Sequence, residues 1–270
     1  MRIHKANIER MSPSKLGMWS KCQAQWKYAY IDGIRRPPSA AMRWGTAFDD
    51  TANSSYLDKL ISGETPASDI VAELFASAWG VRSGDVEDWG KLEKDALTDQ
   101  GVDLARQWRE GIAIKTNPVQ VQPEISVQIN ASDHDDLGSF IIRGYADLIA
   151  EENGKRIVID HKAGARRWSE ADAIRSIQPA IYTIPGGEDN FAFHIGVRAK
   201  KKVSIYTISR TVGQDERLSV VNRMRKARRQ IAHASTTGDF MPNREHQLCS
   251  KRWCGFWKEC VADHGGVVAD

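Results

Sequence analysis

Cysteine is scarce in this chain, with four in 270 residues. No apolar run approaches the roughly 20 residues that a membrane helix needs, so a spanning segment is not expected. No apolar signal segment opens the sequence. The expectation is a chain that stays in a reducing cytoplasm. There, four thiols read as metal or cluster ligands rather than as disulfides. No internal repeat and no low-complexity segment is visible, which excludes a repeat architecture. A strong overall charge is also missing. The net value is only +3 with 27% charged residues, so the average surface is mildly basic. The basic excess is local: from Arg198 to Gln230 there are eleven Lys or Arg against two Asp or Glu.

What is present supports one large α/β domain or two small ones, with ample material for a core. Residues 1–11 lack periodicity and read as a flexible or docking start. Ser12-Pro13 opens a helix, Ser as N-cap and Pro as first helical residue, running to about Ile31. A second helix starts near Ser39 and runs to about Leu60. Gly45 inside it costs roughly 1 kcal/mol relative to Ala, which close approach of another backbone or of a substrate would justify. Helices follow at about 67–79 and 91–115. Val119 to Ile129 alternates as a strand, and 131–136 is a polar turn. Two strands come next, then a helix from Trp168 to about Ile184 that Pro185-Gly186-Gly187 stops. Residues 191–198 and 202–209 form another strand pair. A basic helix spans Val212 to about Ala234, and the tail from Thr236 is irregular. This order predicts an α/β fold with a mixed central sheet flanked by helices.

The stretch from Phe140 to Tyr182 carries the chemistry. Asn153-Gly154 between two apolar runs is a strong hairpin signal. It places Asp147 on the first strand and Asp160 and Lys162 at the end of the second. Asp160 and Lys162 share a face, about 6.5 Å apart along the backbone, and His161 points the other way. Two carboxylates and one ammonium then converge on neighbouring strands. Carboxylate oxygens suit Mg²⁺ or Mn²⁺, and a nearby Lys orients a water or stabilises charge developing on phosphorus. Taken alone, the pattern is weak and more often marks surface carboxylates at strand ends with a casual salt bridge.

Cys249, Cys254 and Cys260 cluster in the tail, and Cys22 stands far upstream. Such a set ligates a [4Fe–4S] cluster or a structural Zn²⁺, and spacing alone does not separate the two. Arg210, Arg217, Arg223, Arg225, Lys226, Arg228 and Arg229 crowd the basic helix and its lead-in. Beside a phosphodiester site they would track phosphates, widened by Lys200 to Lys202 and Arg35-Arg36. Some of the nine tryptophans would stack on unpaired bases. No base-reading motif is visible, so little sequence specificity is expected.

Together these pieces resemble the PD-(D/E)XK nuclease superfamily, specifically the RecB-like exonucleases and the CRISPR-associated exonucleases with a four-cysteine iron–sulfur cluster. The resemblance runs from Ser12 to Cys260. Ser12-Pro-Ser-Lys-Leu with Cys22 is similar to the first cysteine helix, and Gly45-Thr-Ala-Phe-Asp49 to the Gly-x-x-x-His motif. Gly144-Tyr-Ala-Asp147 resembles Gly-x-x-Asp, Asp160-His-Lys162 resembles (D/E)-x-K, and Gln178-Pro-Ala-Ile-Tyr182 resembles Gln-x-x-x-Tyr. Glu124 sits where the family often has an acidic strand residue. Asp49 replaces the family's His, and Pro179 biases Gln178 toward a kink or a helix start.

The resemblance implies a single restriction-endonuclease-like domain over 1–270. Its parts are a helical region over 12–115, a nuclease core over 116–235 and a tail over 236–270 joined to Cys22. It implies an Mg²⁺- or Mn²⁺-dependent deoxyribonuclease, an exonuclease acting on single-stranded DNA or duplex ends. Asp147 and Asp160, helped by Asp49 and Glu124, would hold the metal. Lys162, Gln178 and Tyr182 would act beside it, and Arg217, Arg225, Lys226, Arg228 and Arg229 would bind DNA. Cys22, Cys249, Cys254 and Cys260 would hold a [4Fe–4S] cluster, with Zn²⁺ as the alternative, shielded by Trp253, Phe256 and Trp257. Partners implied are a helicase, a recombinase or CRISPR adaptation proteins. The rival is a catalytically weak DNA-binding or adaptor module of the same fold.

Overall fold

The computed structural model describes residues 6–36, 38–131, 137–186, 188–199 and 202–270. In chain order its elements are α1 (Ala6–Glu9), β1 (Arg10–Met11), α2 (Pro13–Lys21), α3 (Gln23–Tyr30), α4 (Ala40–Ser62), α5 (Ser68–Ser83) and α6 (Lys94–Gly111). Then come β2 (Asn117–Val121), β3 (Glu124–Ile129), β4 (Phe140–Tyr145), β5 (Leu148–Glu152), β6 (Lys155–Gly164), α7 (Glu170–Arg175) and α8 (Gln178–Tyr182). The chain closes with β7 (Asn190–Arg198), β8 (Val203–Thr211), α9 (Gln214–Thr237) and α10 (Trp257–His264). These fall into two compact units, each built from several chain segments.

The larger unit, 37–125 with 145–213, holds a five-stranded sheet in the order β2-β5-β6-β7-β8. Only β6 and β7 run parallel, and α7 and α8 form the crossover between them. The Asn153-Gly154 turn joins β5 to β6 antiparallel as expected, both residues at positive φ. β7 is buried along nearly its whole length, as a central strand covered on both faces should be, whereas edge strand β8 alternates. Ile157, Ile159 and Ala192 pack with Trp44, Phe48, Tyr56, Phe75, Leu104 and Trp108 of α4, α5 and α6. Asp160 and Lys162, one residue out of step, point to the other face.

Ser39 caps α4 by accepting from the Met42 amide at 3.3 Å, and Gly63 at φ 80° ends it. Gly45 does mark a close backbone approach. A Cβ there would sit 3.3 Å from the Ala163 carbonyl oxygen, so α4 lies directly against the end of β6.

The smaller unit, 1–36 with 126–144 and 214–270, carries the three-stranded sheet β1-β4-β3, α1, α2, α3, α9 and α10. Trp19, Trp26 and Phe240 form an aromatic block, and Trp19 Nε1 donates to Gln230 Oε1 at 3.0 Å.

Local chemistry divides several expected elements. The start is not featureless: β1 pairs in parallel with β4, Arg10 opposite Ile141. The expected helix over 13–31 breaks at Cys22, whose φ of −163° and ψ of 119° are extended. The expected strand 119–129 splits at Gln122-Pro123, Gln122 taking φ 49°, and its halves join different sheets. The expected helix from 168 breaks at Ser176 before Pro179. The tail is not wholly irregular, since α10 lies in it. The polar turn, at 132–136, lies outside the described residues.

Candidate active site

Asp160 is the fourth residue of the buried run on β6, after Ile157, Val158 and Ile159; β6 is the middle strand of five, and Asp160 is 2% exposed. Lys162, on the same face, forms an ion pair with Asp160 Oδ2. Gln178 Nε2 donates to Asp160 Oδ1 at 2.7 Å, and the Tyr182 hydroxyl is 3.5 Å from the same nitrogen. Gln178 is the first residue of α8 with Pro179 second, so the proline starts this helix rather than kinking it.

Asp147 does not lie on a strand. It stands between β4 and β5, where the chain changes sheets. Its carbonyl accepts from the Gln122 amide at 2.9 Å, while the Ala146 amide donates to the Pro123 carbonyl at 3.2 Å. That backbone pairing fixes the carboxylate, and Asp147 Oδ2 accepts the His161 amide at 2.5 Å. The Asp147 carboxylate is thereby held against β6 at the residue that follows Asp160.

Asp49, on α4, belongs to the same charge cluster. Burial, then the Asp147 and Asp160 carboxylates, push its carboxyl up to about 7. Its Oδ1 is buried and accepts no hydrogen bond. Burial raises Asp160 to about 6 against the opposing pull of Lys162 and Gln178. Burial likewise raises Asp147, against Lys162 and the His161 amide. For Lys162 burial alone would lower the pKa, but Asp160 and Asp147 outweigh it and hold the ammonium charged. Neighbouring Asp50 is occupied elsewhere, gripping Arg82 through two bonds of 2.7 and 3.1 Å. Glu124 opens β3 just after the Pro123 turn and is exposed, unlike the three aspartates.

His161 points away, into the core among Phe48, Tyr56, Trp108 and His194. Burial, then Lys162, lower it to about 3, so it stays neutral.

Crowded buried carboxylates beside a lysine are the donor chemistry that hard divalent cations select. Among the described residues, however, no group of three His, Cys, Asp or Glu is arranged to hold a metal ion. The fit to a cation rests on the donor type alone, carboxylate oxygens whose remaining partners would be water and substrate oxygens.

In the smaller unit all four cysteines line one cavity, with Gln25, Tyr28, Phe256 and His246. The extended backbone at Cys22 turns its thiol out of the helix line, and Cys22 Sγ accepts the Asn243 amide at 3.4 Å. Burial raises the Cys254 and Cys260 thiols, and the neighbouring cysteines add to it. Phe256 is buried and Trp257 half-buried, but Trp253 is 60% exposed and does not shield this cavity.

The basic helix α9 divides its arginines by face. Arg223, Lys226 and Arg229 are exposed. Arg217 is 9% exposed and Arg225 donates to the Asn130 carbonyl at 3.1 Å. Arg228 corrects the expected phosphate track. It is fully buried, donates to the carbonyls of Ile8, Leu137 and Gly138 at 2.7, 3.2 and 3.0 Å, and lies over the Phe140 ring. Its helical phase turns it inward and its guanidinium fork satisfies loop ends there. Lys200 and Lys201 lie outside the described residues.

The sequence did not reveal the reach of Gln178 to Asp160, because 18 residues and a change of element separate them and no periodicity encodes that contact.

A solved structure from Eubacterium rectale, whose name gives it a provisional exonuclease assignment, is similar over 99% of this chain and 100% of its own. Its identity is 16% and its TM-score 0.51. The crystal structure of SSO0001 is similar over 97% of this chain and 88% of its own, at 14% identity and TM-score 0.43. No curated protein matches the sequence. The model of the PD-(D/E)XK nuclease superfamily matches residues 10–261. A match of that extent, on a sheet whose middle strand carries Asp160-His161-Lys162, makes the chain a member of the PD-(D/E)XK nuclease superfamily.

Proposed function

We propose that this protein is a divalent-metal-dependent deoxyribonuclease, an exonuclease with little sequence specificity. The observation that carries the reading is buried Asp160, bonded to Lys162 and Gln178 and sharing a charge cluster with Asp147 and Asp49. Asp147 and Asp160 would hold Mg²⁺ or Mn²⁺, with Asp49 and then Glu124 as further oxygen donors. The bound cation supplies Lewis acidity toward a phosphate oxygen and lowers the pKa of a water.

The remaining work falls to the chain's own side chains. Lys162 stays charged and places its ammonium beside Asp160, where it orients the attacking water or offsets charge developing on phosphorus. Gln178 fixes the orientation of the Asp160 carboxylate, and Tyr182 closes the far side of that amide. Exposed Lys226 and Arg229 are the phosphate contacts on α9, with Arg217 and Arg225 more covered.

The four cysteines are read as ligands of a [4Fe–4S] cluster, with Zn²⁺ as the alternative. Support comes from their lining of one cavity and from the thiols that crowd one another there. Such a group would tie the tail to the α2–α3 break.

End-labelled single-stranded and duplex DNA, incubated with Mg²⁺ and with Mn²⁺, tests the reading. Asp147→Ala and Lys162→Ala are expected to abolish cleavage while leaving DNA binding in chelator largely intact. Full activity in either variant refutes the assignment. Visible absorbance and iron content after anaerobic purification decide between iron–sulfur and zinc.

A further inference from the structure

An exposed tryptophan on the tail is unused by the chemistry above. Trp253 lies on the turn between Cys249 and Cys254 with 60% of its surface open. The turn is firm. The Trp253 amide donates to the Ser250 carbonyl and hydroxyl, both at 3.2 Å, and the Cys254 amide donates to the Ser250 carbonyl at 2.8 Å. Ser250 is itself buried and bridges to Ala269. The indole is thus presented on a braced support, so little ordering cost attends a contact to it.

Its neighbours are cations. The Arg252 guanidinium lies 4.7 Å from the Trp253 ring centroid. On half-buried Trp257 the Lys251 and Lys258 ammoniums each lie 5.8 Å from the ring. The nearby acids are engaged: Glu259 pairs with Arg36, and Asp270 with Lys251. Arg252 and Lys258 have no ion-pair partner among the described residues. A tryptophan anchoring a protein interface would sit among apolar side chains. A largely open indole with an unpaired guanidinium against its ring instead fits a base on the ring and a phosphate on the charge.

We propose that Trp253, with Arg252, binds an unpaired nucleotide of a DNA strand, the base stacked on the indole. The choice of ligand rests on the nuclease reading, but the site needs neither metal nor cleavage. It sits in the smaller unit, whereas Asp160 sits in the larger.

The test is binding of fluorescein-labelled oligothymidine, and of a blunt duplex of equal length, to the full chain in EDTA. Trp253→Ala is expected to weaken oligothymidine binding by roughly 5- to 150-fold, the stacking contribution of one base. Trp253→Phe keeps most of the affinity, blunt-duplex binding holds, and the thermal midpoint does not move. Arg252→Ala lowers the slope of log affinity against log salt by about 0.7. Unchanged oligothymidine affinity in Trp253→Ala overturns the proposal. So does an equal loss for both ligands with a lowered melting point, or an effect confined to self-association. A wild-type protein that binds the strand through Trp253 yet cuts nothing sinks only the nuclease reading. Normal cutting with unchanged affinity sinks only this one.

Discussion

Gln178 Nε2 donates to Asp160 Oδ1 at 2.7 Å, and the first turn of a five-residue helix is thereby tied to the middle strand of the sheet. The other carboxylate oxygen faces Lys162. Asp160 is thus held from both sides, and neither oxygen can rotate without losing a partner.

On the proposed nuclease reading, that arrangement makes Gln178 a positioning residue. Gln178→Leu is expected to lower kcat about 10- to 100-fold, as loss of a ligand-orienting partner usually does. KM for DNA should hardly change, and the Mg²⁺ concentration needed for half-activity should rise. Steady-state cleavage across a metal titration checks this. A pure KM effect would show that Gln178 contacts substrate instead.

His161 and His194 are both buried, neutral and packed ring to ring, their centroids 5.3 Å apart. Burial lowers both, His161 to about 3 and His194 well below its ordinary value. The unfolded chain therefore binds protons that the folded chain refuses. Stability from His161 is fully present above about pH 6.5 and is lost as pH falls toward 3, and His194 acts in the same direction. For His161 the slope in that window is about 1.4 kcal/mol per pH unit. Chemical denaturation between pH 7 and 4 should show a shallower decline for His161→Phe than for wild type.

Gly101 on α6 leaves no room for a methyl group. A Cβ there would lie 1.9 Å from the Phe75 ring of α5. Helix propensity would favour alanine by roughly 1 kcal/mol, but overpacking costs about 1–3 kcal/mol. Gly101→Ala is expected to lower the melting temperature by several degrees, and Gly101→Ala with Phe75→Leu should recover much of it. A more stable single variant would contradict the packing described.

Two cations on α9 should behave oppositely. Arg228→Met strands three backbone carbonyls and should cost about 3 kcal/mol or more of stability. Lys226→Ala should leave the melting temperature in place and reduce the salt dependence of DNA binding by about one unit of slope. Thermal melts and salt titrations on the two variants separate the roles.

The sequence by itself determined the alternating strands, the Asn153-Gly154 hairpin, the Ser12 cap and the shared face of Asp160 and Lys162. Each of these follows from periodicity or from a turn residue within a few positions. The close approach implied by Gly45 was legible for the same reason, since a glycine inside a long helix needs a cause. Only the tertiary structure decided the rest. It broke the first helix at Cys22, parted β2 from β3 at Gln122-Pro123, and set Asp147 between strands rather than on one. It also turned Arg228 inward while leaving Trp253 in water. These outcomes depend on partners dozens to hundreds of residues away, and local propensity carries no record of them. A buried guanidinium and an exposed indole are set by which backbone carbonyls and which solvent the completed fold brings beside them.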